Sequence, residues 1–186
     1  MSKRTVLSLA LAIFMGALCF AQEAEISPIP DNKGSLGLGY GTPYGGLGLN
    51  ADVYFFDTAA VTIGVGSYGY TAGVVLGVKG FYGPSTKTWR PQAVLLYGTN
   101  RAIYVDREPE EPNIRESCSG FTAGLGSQFM FGKKKRHGFD FDILYVISSE
   151  AFDRRDYWNP QLVNKIPEIQ RFGFSLGYRY AFDLKY

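Results

Sequence analysis

The chain has 186 residues, of which 46% are hydrophobic, 16% aromatic and 19% charged, with 23 Gly, 9 Pro and a single His. So few charges beside so many aromatics and glycines exclude a disordered chain or a coiled coil and point to a packed, β-rich protein. Nineteen Lys and Arg stand against 17 Asp and Glu; with Lys3 and Arg4 in a removable leader the balance is 17 against 17, which leaves no electrostatic footprint for nucleic acid.

Residues 1–21 read as that leader. A basic start is followed by an apolar run over 6–20 and by Cys19-Phe20-Ala21, so a cleaved secretory signal peptide is expected rather than a membrane anchor. Gly16-Ala17-Leu18-Cys19 is similar to a lipoprotein signal, which would acylate Cys19, but Leu18 occupies a place that wants a small residue, and simple cleavage after Ala21 is the favoured reading. Cys118 is then the one remaining thiol; no internal disulfide and no Cys/His zinc cluster can form, and neither metal nor cofactor is expected.

Residues 22–34, with Pro28, Pro30, Asp31 and Asn32, read as an irregular lead-in, and residues 35–186 as a single all-β domain. From Ser35 onward apolar residues recur with period two, the spacing that places them on one face of a strand. Eight strands are predicted, over 47–55, 59–65, 72–82, 89–97, 103–105 (weaker), 121–131, 139–147 and 172–186. The segment 35–42 fits this count less easily, because Leu36, Leu38 and Tyr40 are out of phase with Leu47 and Leu49. A bend at Thr42-Pro43-Tyr44-Gly45-Gly46 inside one long first strand is favoured, and a separate strand, raising the count to nine or ten, is the alternative.

Alternation alone does not say which face meets water. The polar faces here are crowded with Gly, Ser and Thr, several strands are long enough to cross hydrocarbon at a tilt, and aromatics gather near strand ends, all of which favour a membrane barrel over a soluble sandwich. With the chain end taken as periplasmic, 67–70, 98–100 and 132–137 become short turns on that side. The longer 83–87, 107–116 and 150–168, together with the tight Asp57-Thr58, lie opposite. The uncharged stretch 58–78 is long enough for a membrane helix, but five glycines in alternation with β-branched residues make it a hairpin instead.

From about Gly45 onward these features resemble the small eight-stranded outer-membrane barrels of the OmpA transmembrane domain, OmpX and OmpW group. The most specific motif is the end of the chain, where Tyr178, Tyr180, Phe182, Leu184 and Tyr186 are similar to the signal by which such proteins are recognised for outer-membrane insertion; the terminal Tyr, where the family often ends in Phe, is a mild departure. The resemblance implies a closed antiparallel up-and-down barrel exported to the bacterial outer membrane, with outer-membrane lipid and the barrel-assembly machinery as partners and an extracellular ligand or surface partner as a further candidate.

A closed eight-stranded barrel is just wide enough for side chains to fill it. The inner-face charges Asp52, Lys79, Arg90, Asp140, Asp142, Arg171, Arg179 and Asp183 are therefore expected to pair with one another, with Arg179 or Arg171 facing Asp140 or Asp142. Gly64-Val65-Gly66-Ser67-Tyr68-Gly69 matches the dinucleotide fingerprint by letter, but a β segment follows where a phosphate-binding helix would have to start. The single His137 falls beside Lys133-Lys134-Lys135-Arg136 in an expected periplasmic turn, away from the outer rim where an acyl hydrolase would want a His near a Ser or an acid, so no catalytic residue is assigned and an enzyme is not expected. Phe152, Tyr157 and Trp158, on a long outer loop, are recognition candidates. The function expected is an integral outer-membrane barrel with a structural, surface-interaction or limited small-solute permeation role; the alternative is a secreted or periplasmic soluble barrel that binds an apolar ligand.

Overall fold

The computed structural model describes residues 33–105, 114–152, 154 and 170–183. The leader, most of the lead-in, Tyr157, Trp158, Leu184 and Tyr186 lie outside them. Eight strands follow in order: β1 (Lys33–Gly41), β2 (Gly46–Phe56), β3 (Ala59–Ser67), β4 (Ala72–Phe81), β5 (Trp89–Val105), β6 (Ile114–Phe131), β7 (His137–Val146) and β8 (Phe172–Asp183). Each pairs antiparallel with its neighbours in sequence, and β1 pairs with β8 from Lys33↔Asp183 to Tyr40↔Leu176, which closes the barrel. Within the barrel wall, closure leaves no strand at an edge.

The alternation read from sequence is the in-and-out alternation of this barrel. Along β7, His137, Phe139, Phe141 and Ile143 point out, while Asp140, Asp142, Leu144 and Val146 are buried inside. A belt of aliphatic side chains covers the outside, among them Leu49, Val61, Ile63, Val74, Leu76, Ile143 and Leu125, the last 61% exposed. Aromatic residues ring both ends of that belt. Phe55, Tyr82, Trp89, Phe129, Phe131, Phe139 and Tyr178 stand toward the end where the chain enters and leaves the barrel, and Tyr40, Tyr70, Tyr97, Phe121, Phe172 and Phe174 toward the other. The uncharged stretch 58–78 is the β3–β4 hairpin, and among the described residues no helix is long and apolar enough to cross a membrane.

The count of eight holds, but two strands differ from those predicted. Residues 33–41 form their own strand rather than the first half of a bent one; it also takes in Lys33 and Gly34 of the expected lead-in. The phase change that suggested a bend is a reversal of direction: Leu38 lies opposite Leu49 and Tyr40 opposite Leu47, so both apolar sets share the outer face. Conversely, Gly98-Thr99-Asn100 is no turn. Gly98 has φ 141, the register shifts between Thr99 and Arg101, and β5 runs on through Ile103 and Val105. Turn-forming residues here build a β-bulge, where an extra residue bends a strand that continues.

These two differences change which loops share an end, since every strand reverses the chain. The short connections 57–58 and 82–88 lie with 132–136 at the end carrying Lys33 and Asp183, and 68–71 lies at the opposite end, the reverse of the expectation for 57–58, 67–70 and 83–87. Past Gly98, β5 no longer pairs with β4 and continues with β6 alone, from Thr99↔Ser119 to Val105↔Ile114. The β5–β6 hairpin thus projects beyond the barrel at the far end.

Candidate functional site in the barrel lumen

The middle of the lumen is a four-charge network. Arg179, fully buried on β8, donates from Nε to Asp140 Oδ2 at 2.5 Å, from Nη1 to Asp52 and to Ser35 Oγ (2.6 Å), and from Nη2 to Asn50 Oδ1 (2.8 Å). Lys79 on β4 adds an ion pair to Asp52 at 3.1 Å and stands 3.9 Å from Asp140. Two cations meet two carboxylates through Asp52 Oδ2 and Asp140 Oδ2, with Ser35 and Asn50 as neutral partners, while Oδ1 of each carboxylate is buried without a hydrogen bond among the described residues; such pairing is what makes buried charge tolerable.

Of the eight charges expected inside, Asp52, Lys79, Arg90, Asp140, Asp142 and Arg179 are buried there. Of the alternatives expected, Arg179 or Arg171 against Asp140 or Asp142, the pair formed is Arg179 with Asp140. Asp142 instead accepts from Gln92 Nε2 at 2.6 Å and Ser175 Oγ at 2.8 Å. Arg171 and Asp183 are not lumen residues. Arg171 precedes β8 at the rim, its guanidinium 4.2 Å from the centre of the Phe152 ring and its Nη1 donating to the Val146 and Ile147 carbonyls. Asp183 ends β8 at the other mouth, exposed and paired with Arg136 at 3.1 Å. Alternation carries both into the inner phase, but a strand's inner phase stays inside only between the two rims.

Toward the far end the lumen is filled by chain. The β1–β2 connection, a 3₁₀ turn over Thr42–Tyr44, folds inward instead of reaching out, and all three of its residues are buried. Gly45 (φ 66) and Gly46 (φ 103) make the reversal, conformations costly for any residue with a Cβ. Asn50 Nδ2 holds the turn by donating to Pro43 O at 2.9 Å, and Tyr44 reaches down until its hydroxyl is 3.5 Å from Asp140 Oδ2. Its seat is made of glycines from β3 and β8. A Cβ on Gly177 would collide with the Tyr44 ring and hydroxyl, and one on Gly64 or Gly66 with the turn's carbonyls. Val75, Val94, Leu96 and Leu144 pack together as an apolar cluster in the same half.

Each mouth keeps a cavity. The one at the far end, about 280 Å³, is lined by Tyr40, Tyr68, Asn100, Arg101 and Phe172, among others. Burial pushes the Tyr68 hydroxyl up to about 12, so it stays a neutral donor to Thr99 O at 3.1 Å. The other, about 520 Å³, opens where Lys33 and Asp183 stand, and Arg90 and Gln128 form its buried side.

His137 is the first residue of β7, not part of the turn before it. It faces outward, bonded to the Tyr178 hydroxyl and set among the Phe131, Tyr178 and Tyr180 rings. Of the expected insertion signal, Tyr178 and Tyr180 stand on the outer face and Phe182 is half-buried. Among the described residues no cluster of His, Cys, Asp or Glu could hold a metal. Sequence reasoning passed over Tyr44, Ser35, Asn50, Gln92 and Gln128; the last four lie in the same polar phase as the charges, so the signal was present for them. For Tyr44, inside a segment read as a bend, the only trace was the excess of inner-face glycine.

Closure, strand number and connectivity place the chain in the class of eight-stranded antiparallel up-and-down barrels. In particular, it is similar to the crystal structure of the N-terminal β-barrel domain of Pseudomonas aeruginosa OprF, with a TM-score of 0.52 and 12% identity over 82% of this chain and 98% of that one. At that identity the likeness is one of fold. No protein-family model and no curated protein matches the sequence.

Proposed function

We propose that this is an integral outer-membrane β-barrel of the bacterial cell envelope, exported through a cleaved leader, with a structural and surface-interaction role. The observation carrying the proposal is the outer surface: an aliphatic belt held between two aromatic rings, on strands that bury their charges inside. Exposed apolar area of that extent is unfavourable in water and favourable in hydrocarbon. A soluble barrel carrying an apolar ligand needs the opposite arrangement, an apolar lining. Lipid of the outer membrane and the assembly machinery that reads the C-terminal aromatics are the proposed partners. The projecting β5–β6 hairpin, with Arg115 over the Tyr104 ring and Phe152 under Arg171 nearby, is the proposed contact surface for an extracellular ligand.

A structural role is favoured over permeation because the inward turn and the four-charge network together fill the lumen between the two cavities. No catalytic step is proposed, since His137 lies on the outer surface among aromatic rings. The test is extraction and electrophoresis. The protein is expected in the detergent-extracted membrane fraction, with a mobility that shifts on boiling and closed-level current in planar bilayers. Recovery in buffer alone, with no shift, would overturn the membrane reading; steady conductance would restore the permeation role.

A further inference from the structure

The cavity at the mouth carrying Lys33 and Asp183 has a chemistry that the membrane reading does not use. The four consecutive cations Lys133 to Arg136, from the β6–β7 turn, line it together with Lys33 and Arg90, against two acids, Asp57 and Asp183. Both acids are engaged: Asp183 pairs with Arg136, and Asp57 accepts from the Ser85 backbone N–H at 3.3 Å. Among the described residues Lys33 and Lys135 donate to neutral hydroxyls, Ser85 Oγ at 3.1 Å and Thr88 Oγ1 at 2.5 Å, and to no carboxylate.

The decisive feature lies deeper. Arg90 and Gln128 are 2% and 1% exposed, and each holds the other: Arg90 Nη1 donates to Gln128 Oε1 at 3.2 Å, Arg90 Nη2 donates to Asp57 O, and the guanidinium stacks 4.3 Å from the centre of the Phe81 ring. With its carbonyl committed to Arg90, Gln128 has only its NH₂ to offer. That Nε2 and Arg90 Nε are buried N–H donors with no acceptor among the described residues, although both residues line the cavity. Asp140, opposite Gln128 on β7, commits Oδ2 to Arg179 and Lys79, and its buried Oδ1 makes no hydrogen bond to either donor. Buried donors left unused cost stability and want an acceptor, and here they are fixed in place beneath an excess of positive charge.

We propose that this mouth is a binding site for a phosphate group, with Arg90 and Gln128 donating to its oxygens from within and Lys133 and Lys134 closing over it from the turn. A cavity of about 520 Å³ admits either a free phosphate or the headgroup of a lipid whose chains lie along the outer wall beside Phe131, Phe139 and Tyr178.

The experiment uses the full chain folded in micelles of uncharged detergent, titrated with inorganic phosphate by calorimetry at low salt. A second arm incorporates phosphatidic acid or a neutral lipid of the same chains and reads retention by native mass spectrometry. Saturable binding of phosphate is expected, weakened about tenfold in Gln128→Leu, and weakened less, with a shallower salt dependence, in Lys133→Ser/Lys134→Ser. Retention of phosphatidic acid over neutral lipid, without binding of inorganic phosphate and lost in the same variants, assigns the phosphate to a headgroup. Arg90→Gln is expected to lose phosphate binding; should it fail to fold, the other two variants still decide. Absence of both activities in the wild type, or binding by Gln128→Leu equal to the wild type, would overturn the proposal.

Discussion

The two halves of the lumen are filled by opposite means. Around Arg179 the space is taken by charged and polar side chains from β1, β2, β4, β7 and β8 that bond to one another. Around Tyr44 it is taken by a piece of backbone and one aromatic ring, and the surrounding strands contribute glycine, which is to say nothing. The first half is sensitive to what is removed and the second to what is added. Both solve one problem, that a closed barrel of this size has an interior that must be neither empty nor unpaired.

That contrast can be broken most forcefully at Arg179. Arg179→Leu leaves Asp52 and Asp140 buried with Lys79 as their one remaining cation, and is expected to cost about 3–5 kcal/mol, read as a fall in the urea midpoint of the micelle-folded protein or as loss of the heat-modifiable form. Unchanged unfolding would mean the network is not closed in solution. The outer wall comes next. Leu125→Arg, near the middle of the aliphatic belt, should cost about 2–4 kcal/mol in lipid vesicles and far less in a soluble setting, so this variant also tests the membrane reading.

The glycine half responds to addition. Gly177→Ala places a methyl against the Tyr44 ring and should cost about 1–3 kcal/mol. Combined with Tyr44→Leu, most of that cost should vanish, because the two changes share one space. Additive losses would show that Gly177 matters for some reason other than making room for Tyr44. The smallest effect is expected at the mouth, where Asp183→Asn removes an ion pair whose partners are close to half exposed; solvent screening holds the change below about 1 kcal/mol.

Much of this was open to reading in one dimension. Period two along 172–183 or 137–146 is enough to say strand, inner phase and outer phase, because a strand's side chains have only two directions to point. The burial of Asp52, Lys79, Asp140 and Arg179 followed from their phase, which left the partner of Arg179 open between Asp140 and Asp142. Where the reading failed, local chemistry had two uses. Gly98-Thr99-Asn100 suits a turn or a bulge equally, and Thr42-Pro43-Tyr44-Gly45-Gly46 suits a bend or a full reversal. One such ambiguity shifts every later loop to the other end until a second shifts it back.

The sequence by itself therefore determined the class of element and, between the two rims, the face each strand residue takes, since these depend on spacing along a single strand. Only the tertiary structure decided that the first connection folds inward as a plug, that the glycines of β3 and β8 are its seat, and that Arg90 and Gln128 end as buried donors beneath four cations. Those facts depend on which strands face each other across a closed lumen, a distance set by barrel closure and not by separation along the chain.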